Sequence, residues 1–158
     1  MLPFAKGRNM IVWCNKPELH IDSDIQPHIS VRIPMPSDTE NEKKDKRRMP
    51  FINKTRIMWN INYLGTQYCF VIPRGFCYDG ASIPFGFRWL IGAKGSDEFM
   101  IPSCVHDYMC IHHDCVGHDR QLSSMIFREL LIASGVGKLR AQTMYLAVET
   151  WQKINGHW

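Results

Sequence analysis

The fold is decided by residues 55–73, which read TRIMWNINYLGTQYCFVIP. Polar and apolar side chains alternate along the first half, the chain turns at Leu64, Gly65 and Thr66, and a second apolar run leads to Pro73. Alternation with a period of two is typical of a strand with one buried face, and Gly65 supplies the backbone freedom that a tight turn requires. The segment therefore predicts a β-hairpin at the centre of a small antiparallel sheet.

The first 50 residues contain six of the nine prolines and only short alternating pieces such as residues 28–33. Because proline cannot donate a backbone hydrogen bond, we expect this zone to add one or two edge strands at most. Residues 38–48 contain five basic and four acidic side chains. The nearly balanced charge predicts a charged, flexible loop, and nucleic acid is not an expected partner because no aromatic residues interleave with these charges.

Three helices are predicted after the hairpin, over residues 98–112, 119–134 and 138–153. In the second helix the predicted buried stripe consists of Leu122, Ile126, Leu130 and Ala133. Gly135 is expected to end that helix. In the third helix the predicted stripe consists of Leu139, Thr143, Leu146, Val148 and Trp151. The fold class is therefore predicted as α+β, with the hairpin and N-terminal strands forming a small antiparallel sheet that packs against three C-terminal helices.

Length and composition indicate a single domain over residues 1–158. With 45% hydrophobic and 22% charged residues the chain has the composition of an ordinary globular protein, and no apolar run is long enough to span a bilayer. The first residues lack the basic and then apolar layout of a signal peptide, so secretion by that route is not expected. Six cysteines without a CxxC pair favour reduced thiols.

The chemically densest stretch is residues 105–120, which read VHDYMCIHHDCVGHDR. Four of the seven histidines lie here, together with three aspartates and two cysteines. Imidazole, carboxylate and thiolate groups bind transition metals and transfer protons near neutral pH. Any chemistry of this protein is therefore expected to centre on this stretch.

Three motifs, FVIPRGF at residues 70–76, YDGASIP at residues 78–84 and HDY at residues 106–108, occur in the order of a known family. In these motifs residues 55–155 resemble domain of unknown function thirteen fifty-three, a family found in phages and prophages. The family also has an Arg-x-x-Ala-Asp-x-x-Phe helix. Arg120 and Phe127 match it, but Ser123-Ser124 replaces the Ala-Asp pair, so this chain lacks a carboxylate that the family has. The resemblance implies a phage or prophage setting and no particular reaction.

One hypothesis for the histidine-rich stretch is a divalent metal site. Asp79 from the loop and His106 and Asp107 from the first helix are candidates both for metal ligands and for catalytic groups. His113 or His118 is expected to complete the ligand set, and Asp114 is a further candidate. An ion such as zinc, held by three ligands with a fourth position open, would polarise a bound water for hydrolysis.

The alternative is a structural role for the same residues. In this interpretation His106 is hydrogen-bonded to Asp79, Asp107 is bonded to Arg120, and the polar set fixes an irregular loop. A structural zinc site is a further possibility, with no cofactor firmly implied. Cys110 lies four residues after His106, a spacing that suits a catalytic dyad and also a buried cysteine packed beside a histidine.

Residues 85–91, which read FGFRWLI, follow a proline and predict an apolar patch for protein binding. The predicted function is therefore that of a phage-associated accessory or virion structural protein that acts through contacts with other phage or host proteins. It is expected in the host cytoplasm, in the assembled virion, or in both. The alternative is a metal-dependent hydrolase that uses the His/Asp site on a cell-wall or nucleotide substrate.

Overall fold

The computed structural model describes residues 10–13, 18–21, 29–63, 66–80, 97–113 and 120–155. The strands are β1 (Met10–Trp13), β2 (Glu18–Ile21), β3 (Ile29–Val31), β4 (Phe51–Asn53), β5 (Ile57–Tyr63), β6 (Thr66–Ile72) and β7 (Cys77–Tyr78). The helices are α1 (Glu40–Arg48), α2 (Asp97–Ile111), α3 (Arg120–Ala133) and α4 (Lys138–Asn155). The predicted α+β class is confirmed, with three of the helices in the C-terminal part of the chain. Within the described ranges, no helix is long and apolar enough to cross a membrane.

The predicted hairpin is formed by β5 and β6, which pair antiparallel from Ile57 opposite Ile72 to Tyr63 opposite Thr66. Its turn, including Gly65, lies outside the described residues. The strands form two antiparallel sheets, one with the order β1-β2-β5-β6 and one with the order β3-β4-β7. The first 50 residues thus supply three strands, and β2 lies between β1 and β5. The prediction of one or two edge strands was wrong because prolines flank these strands without interrupting their pairing.

Residues 38–48, predicted as a flexible loop, instead contain helix α1. A capping box starts the helix: Thr39 Oγ1 accepts a hydrogen bond from the backbone N–H of Glu42, and the Glu42 carboxylate accepts one from the backbone N–H of Thr39. Acidic residues lie in the first turn and basic residues in the last, as the helix dipole favours. No residue of α1 is buried, so the helix is a solvated charged element.

Helix α3 is the centre of the helical layer and packs against both α2 and α4. One apolar cluster joins the strands to α2 and α3 and contains Phe51, Ile57, Ile72, Tyr78, Cys104, Val105, Met109, Leu122, Ile126 and Leu130. A second cluster lies mainly between α3 and α4 and contains Phe99, Phe127, Leu131, Val136, Ala141, Met144 and Val148. Because α3 contributes to both clusters, it connects the two halves of the core.

Helix α3 ends as the sequence predicts, at Gly135. This glycine has a φ of 99°, its N–H donates to the carbonyl of Ile132, and the N–H of Val136 donates to the carbonyl of Leu131. The two bonds form a Schellman motif, and Val136 is buried in the core beside the helix. The tight stop directs the chain into α4, which therefore packs back onto α3.

Helix α4 buries a different face from the one predicted. Leu139 is 83% exposed and Leu146 is 53% exposed, although both belonged to the predicted buried stripe. Of the predicted stripe only Val148 is buried, and the face that contacts the core consists of Ala141, Met144, Ala147 and Val148. The two small alanines allow α4 to lie close to α3, which the larger leucines on the other face would prevent.

Candidate functional site

A polar cluster lies where α2 meets α3 and α4. His106 and Cys110 are one helical turn apart on α2 and share the face that packs against the other two helices. The His106 ring is 5.1 Å from the ring of Phe127 on α3, measured between centroids. His106 is only 5% exposed, so its polar atoms must be satisfied by protein groups.

Cys110 is the residue on which this polar cluster converges. Its Sγ atom lies 3.6 Å from Nε2 and 3.9 Å from Nδ1 of His106, and 4.0 Å from Oγ of Ser123. The side-chain amide of Gln152 on α4 donates a hydrogen bond to Sγ at 3.3 Å. Ser124 in turn donates to Oε1 of Gln152 at 3.2 Å. The sulfur therefore takes part in polar contacts that link three helices.

His106 also contacts its neighbour Asp107, with 3.4 Å between Nδ1 and Oδ1. Burial alone lowers the pKa of His106, but the electrostatic interaction with Cys110, together with hydrogen bonds to Asp107 and Cys110, raises the pKa to about 10. The imidazole is therefore positively charged at neutral pH. A buried histidine with the Cys110 sulfur and the Asp107 carboxyl group beside it is the main electrostatic feature of the cluster.

An ion pair between a half-buried arginine and a buried glutamate lies next to this cluster, between α3 and α4. Arg120 donates to Oε2 of Glu149 at 2.7 Å, and Lys153 approaches the same oxygen at 3.8 Å. Oε1 of Glu149 is buried without a hydrogen-bond partner in the described part of the chain. The prediction that Arg120 pairs with Asp107 was wrong, because Arg120, at the start of α3, reaches across to α4.

The structure brings together only part of the predicted metal and catalytic set. His106 and Asp107 are in contact, whereas the described hydrogen-bond partners of His106 are Asp107 and Cys110 and do not include Asp79. Asp79 follows β7 and is half-buried. His113 lies beyond the end of α2, where its Nδ1 bonds to the carbonyl of Cys110 at 2.8 Å.

His118 lies outside the described residues, as does Asp114. Within the described ranges, no group of three or more His, Cys, Asp or Glu side chains is arranged to hold a metal ion. The predicted ligand set of Asp79, His106, Asp107, His113 and His118 therefore stays a prediction.

Sequence reasoning missed Gln152 and assigned Ser123 and Ser124 no role in the cluster. Gln152 is near the end of α4 and 42 positions from Cys110, so no local spacing connects the two residues. The loss of the family's Ala-Asp pair at Ser123-Ser124 was visible in the sequence. The sequence did not show that these two serines lie beside Cys110 and Gln152.

The sequence motifs from separate parts of the chain meet around α2. Phe76, from the first motif, packs edge-on against Tyr108 of the HDY motif, with 5.2 Å between ring centroids. Tyr78, from the second motif, stacks on Phe76 and donates a hydrogen bond to the carbonyl of Met100 at 2.8 Å. Phe127, which matches the family's Arg-x-x-Ala-Asp-x-x-Phe helix, packs against His106. The motif residues therefore hold the strands against the helices.

A family model matches the part of the chain that contains these motifs. The chain is a member of the family described as Protein of unknown function (DUF1353), which matches residues 55–148, more than half of its length. It is also similar to the uncharacterized protein y4jT of Sinorhizobium fredii, with 35% identity over 80 residues. That match covers 51% of this chain and 23% of the relative, so the chain spans less than a quarter of the relative's length. No solved structure gives a significant match.

Proposed function

We propose that this member of the family is a phage-associated accessory or virion protein that acts by binding another protein. The phage setting is the one that the family resemblance implies. The binding role is supported by one structural observation, an exposed row of apolar side chains at the edge of β3. The proposed partner contributes an extended segment that pairs with this edge as an additional strand.

Among the described residues, no strand pairs with the outer edge of β3. β3 is at one end of the sheet order β3-β4-β7, and beyond the strand the N–H of Arg32 donates to the carbonyl of Pro50 at 2.6 Å. Because backbone groups of successive residues in a strand point to opposite sides, those of Val31 and Ile33 are directed away from β4. Pro34 favours an extended conformation of Ile33, the residue before it.

Side chains at alternate positions continue the core face of β3 beyond the core. Ile29 packs against the buried cluster, whereas Val31, Ile33 and Met35 are 55%, 68% and 53% exposed. Val31 ends the edge strand, and Ile33 and Met35 follow it at alternate positions. Exposed apolar side chains with this spacing are the pattern that strand addition uses, since the ladder gives affinity and alternate side chains give specificity.

The charges beside this edge favour an acidic partner. Helix α1 is held against it by Arg32, which bonds to Asp45 at 2.8 Å and to the carbonyl of Met49 at 3.0 Å. Lys44, Arg47 and Arg48 are exposed on α1 and form no ion pair with another described residue. An extended segment with alternating apolar side chains and acidic neighbours therefore complements both features of this surface.

The second predicted binding surface, residues 85–91, lies outside the described residues and stays a prediction.

The test is capture of the partner from prophage-induced cells with the full chain and with the Ile33→Asp variant. Asp at this position adds a negative charge where an acidic segment is expected, so we expect at least a tenfold loss of the captured partner. Ile154→Asp on α4 is the matched control, since Ile154 is 74% exposed and distant in sequence. Amide hydrogen exchange at Val31 and Ile33 should slow when the purified partner is added.

Retention of the partner by Ile33→Asp, with unchanged exchange at Val31, would contradict pairing at this edge. A partner that is not encoded by a phage or prophage, bound with the same sensitivity to Ile33→Asp, would preserve the binding role and contradict the virion role.

The metal-dependent hydrolase remains the alternative, and the contact between His106 and Asp107 is the described observation that favours it. Its test is the metal content of the purified, untagged chain beside a His106→Ala, Asp107→Ala double variant. Stoichiometric zinc, manganese or iron that is lost in the variant would support the hydrolase and would justify assays on cell-wall and nucleotide substrates.

A further inference from the structure

We infer that Cys110 is a reactive thiol that small electrophiles and peroxides modify, with His106 as its positioning residue. This site is independent of the proposed binding surface at β3. The inference rests on a cluster of four side chains from three helices, in which the sulfur meets an imidazole, a serine hydroxyl and an amide donor.

The geometry places hydrogen-bonding groups of two other residues directly against the sulfur. Sγ lies 3.6 Å from Nε2 and 3.9 Å from Nδ1 of His106, so it contacts both ring nitrogens. Gln152 adds an N–H donor directed at the sulfur. The ring of His106 also lies 3.4 Å from Oδ1 of Asp107, measured from Nδ1, so the imidazole beside the sulfur is oriented by a third group, as in cysteine–histidine sites where the thiol is the nucleophile.

Cys110 also differs from the other cysteines whose side chains the structure describes. Cys104 is completely buried, and burial raises the pKa of its thiol, which keeps it protonated and inert. Cys77 is half-exposed like Cys110, but its described hydrogen bond goes to a backbone carbonyl, that of Gly75. Cys110 thus combines partial exposure with an imidazole and an amide donor in contact with its sulfur.

With a peroxide the reaction is a two-electron oxidation of the sulfur. The thiolate of Cys110 attacks one peroxide oxygen, an S–O bond forms and the O–O bond breaks. The leaving hydroxide takes a proton from the His106 imidazolium and departs as water, which leaves a sulfenic acid on Cys110. With an alkylating reagent such as iodoacetamide, an S–C bond forms and iodide leaves.

The experiment measures the rate of iodoacetamide labelling at each cysteine by peptide mass spectrometry, on the full chain from pH 6 to 9. We expect Cys110 to react at least tenfold faster than Cys77 at pH 6.5. A parallel sample with substoichiometric hydrogen peroxide and dimedone should place the trapped sulfenic acid on Cys110. Equal or slower labelling of Cys110 relative to Cys77 would overturn the inference without any variant.

The role of His106 is tested with His106→Asn in the same assay. We expect the rate at Cys110 to fall about tenfold at pH 6.5 and to approach the wild-type rate only at high pH, while Cys77 is unaffected. Cys104 reports on folding, because it becomes labelled only if the core opens. An unchanged pH profile of Cys110 in a variant whose Cys104 stays unlabelled would contradict the role of His106.

Discussion

Two glycines with similar backbone angles have different surroundings. Gly75 has a φ of 92° and Gly80 a φ of 88°. Residues other than glycine rarely adopt this backbone conformation. A Cβ atom at Gly80 would lie 2.6 Å from the ring of Phe51, whereas at Gly75 it would meet nothing within 4 Å. The glycine of the second sequence motif is therefore required for space as well as for conformation.

We expect Gly80→Ala to lower the free energy of unfolding by about 2–4 kcal/mol, because backbone strain and overpacking against Phe51 combine. Gly75→Ala is the matched control and should cost about 1 kcal/mol from backbone strain alone. Urea unfolding of both variants measures the difference. Equal losses would show that the Phe51 ring moves aside without a penalty.

The charge on His106 predicts a dependence of stability on pH. Its pKa in the folded protein, about 10, is above the ordinary value of 6.5, so the protonated form stabilises the fold. This contribution is complete below about pH 6.5 and is lost as the pH rises through about 10. We expect the difference in unfolding free energy between wild type and His106→Gln to shrink from pH 6 to pH 10. A difference that grows over this range would contradict the charged state.

At the scale of elements, helix α4 carries large apolar side chains on two faces, and its position in the fold decides which face is buried. Met144 is completely buried, whereas Leu146, two residues later, is about half exposed. We expect Met144→Ala to lower the free energy of unfolding by about 2–4 kcal/mol.

Leu146→Ala is the control on the same helix and should cost less than about 1 kcal/mol, since little area is removed from contact. Chemical denaturation of the two variants compares the faces directly. A larger loss for Leu146→Ala would mean that the leucine face is covered in the protein as it exists in solution.

At the scale of the whole molecule, Tyr78 joins the strands to the helices. Its ring lies between Phe51 and Phe76, and its hydroxyl bonds to the carbonyl of Met100 on α2. Burial raises the pKa of Tyr78, so the hydroxyl stays protonated and remains a donor. The bond spans the interface between the two layers of the fold.

We expect Tyr78→Phe to lower the free energy of unfolding by about 1 kcal/mol, because the ring packing is kept and one hydrogen bond is lost. Tyr108→Phe is the control, since Tyr108 packs edge-on against Phe76 and its hydroxyl has no hydrogen bond to another described residue. Thermal unfolding of the two variants gives the comparison. Similar behaviour would mean that the Tyr78 hydroxyl contributes nothing to the layer interface.

The sequence by itself determined the elements whose signals are local. Alternation over residues 55–73 determined the β5–β6 hairpin, and a repeating apolar stripe with Gly135 after it determined α3 and its end. The capping box of α1 was also readable, at Thr39 and Glu42, but the density of charges around it favoured a loop. These features depend on residues a few positions apart, so short-range patterns suffice.

Only the tertiary structure decided which surfaces meet. It placed the alanine and methionine face of α4 in the core, and it brought Gln152 to Cys110 across 42 positions. It also paired Arg120 with Glu149. The physical reason is that burial and hydrogen bonding between helices depend on how closely their backbones approach, and side-chain size on several elements at once sets that distance.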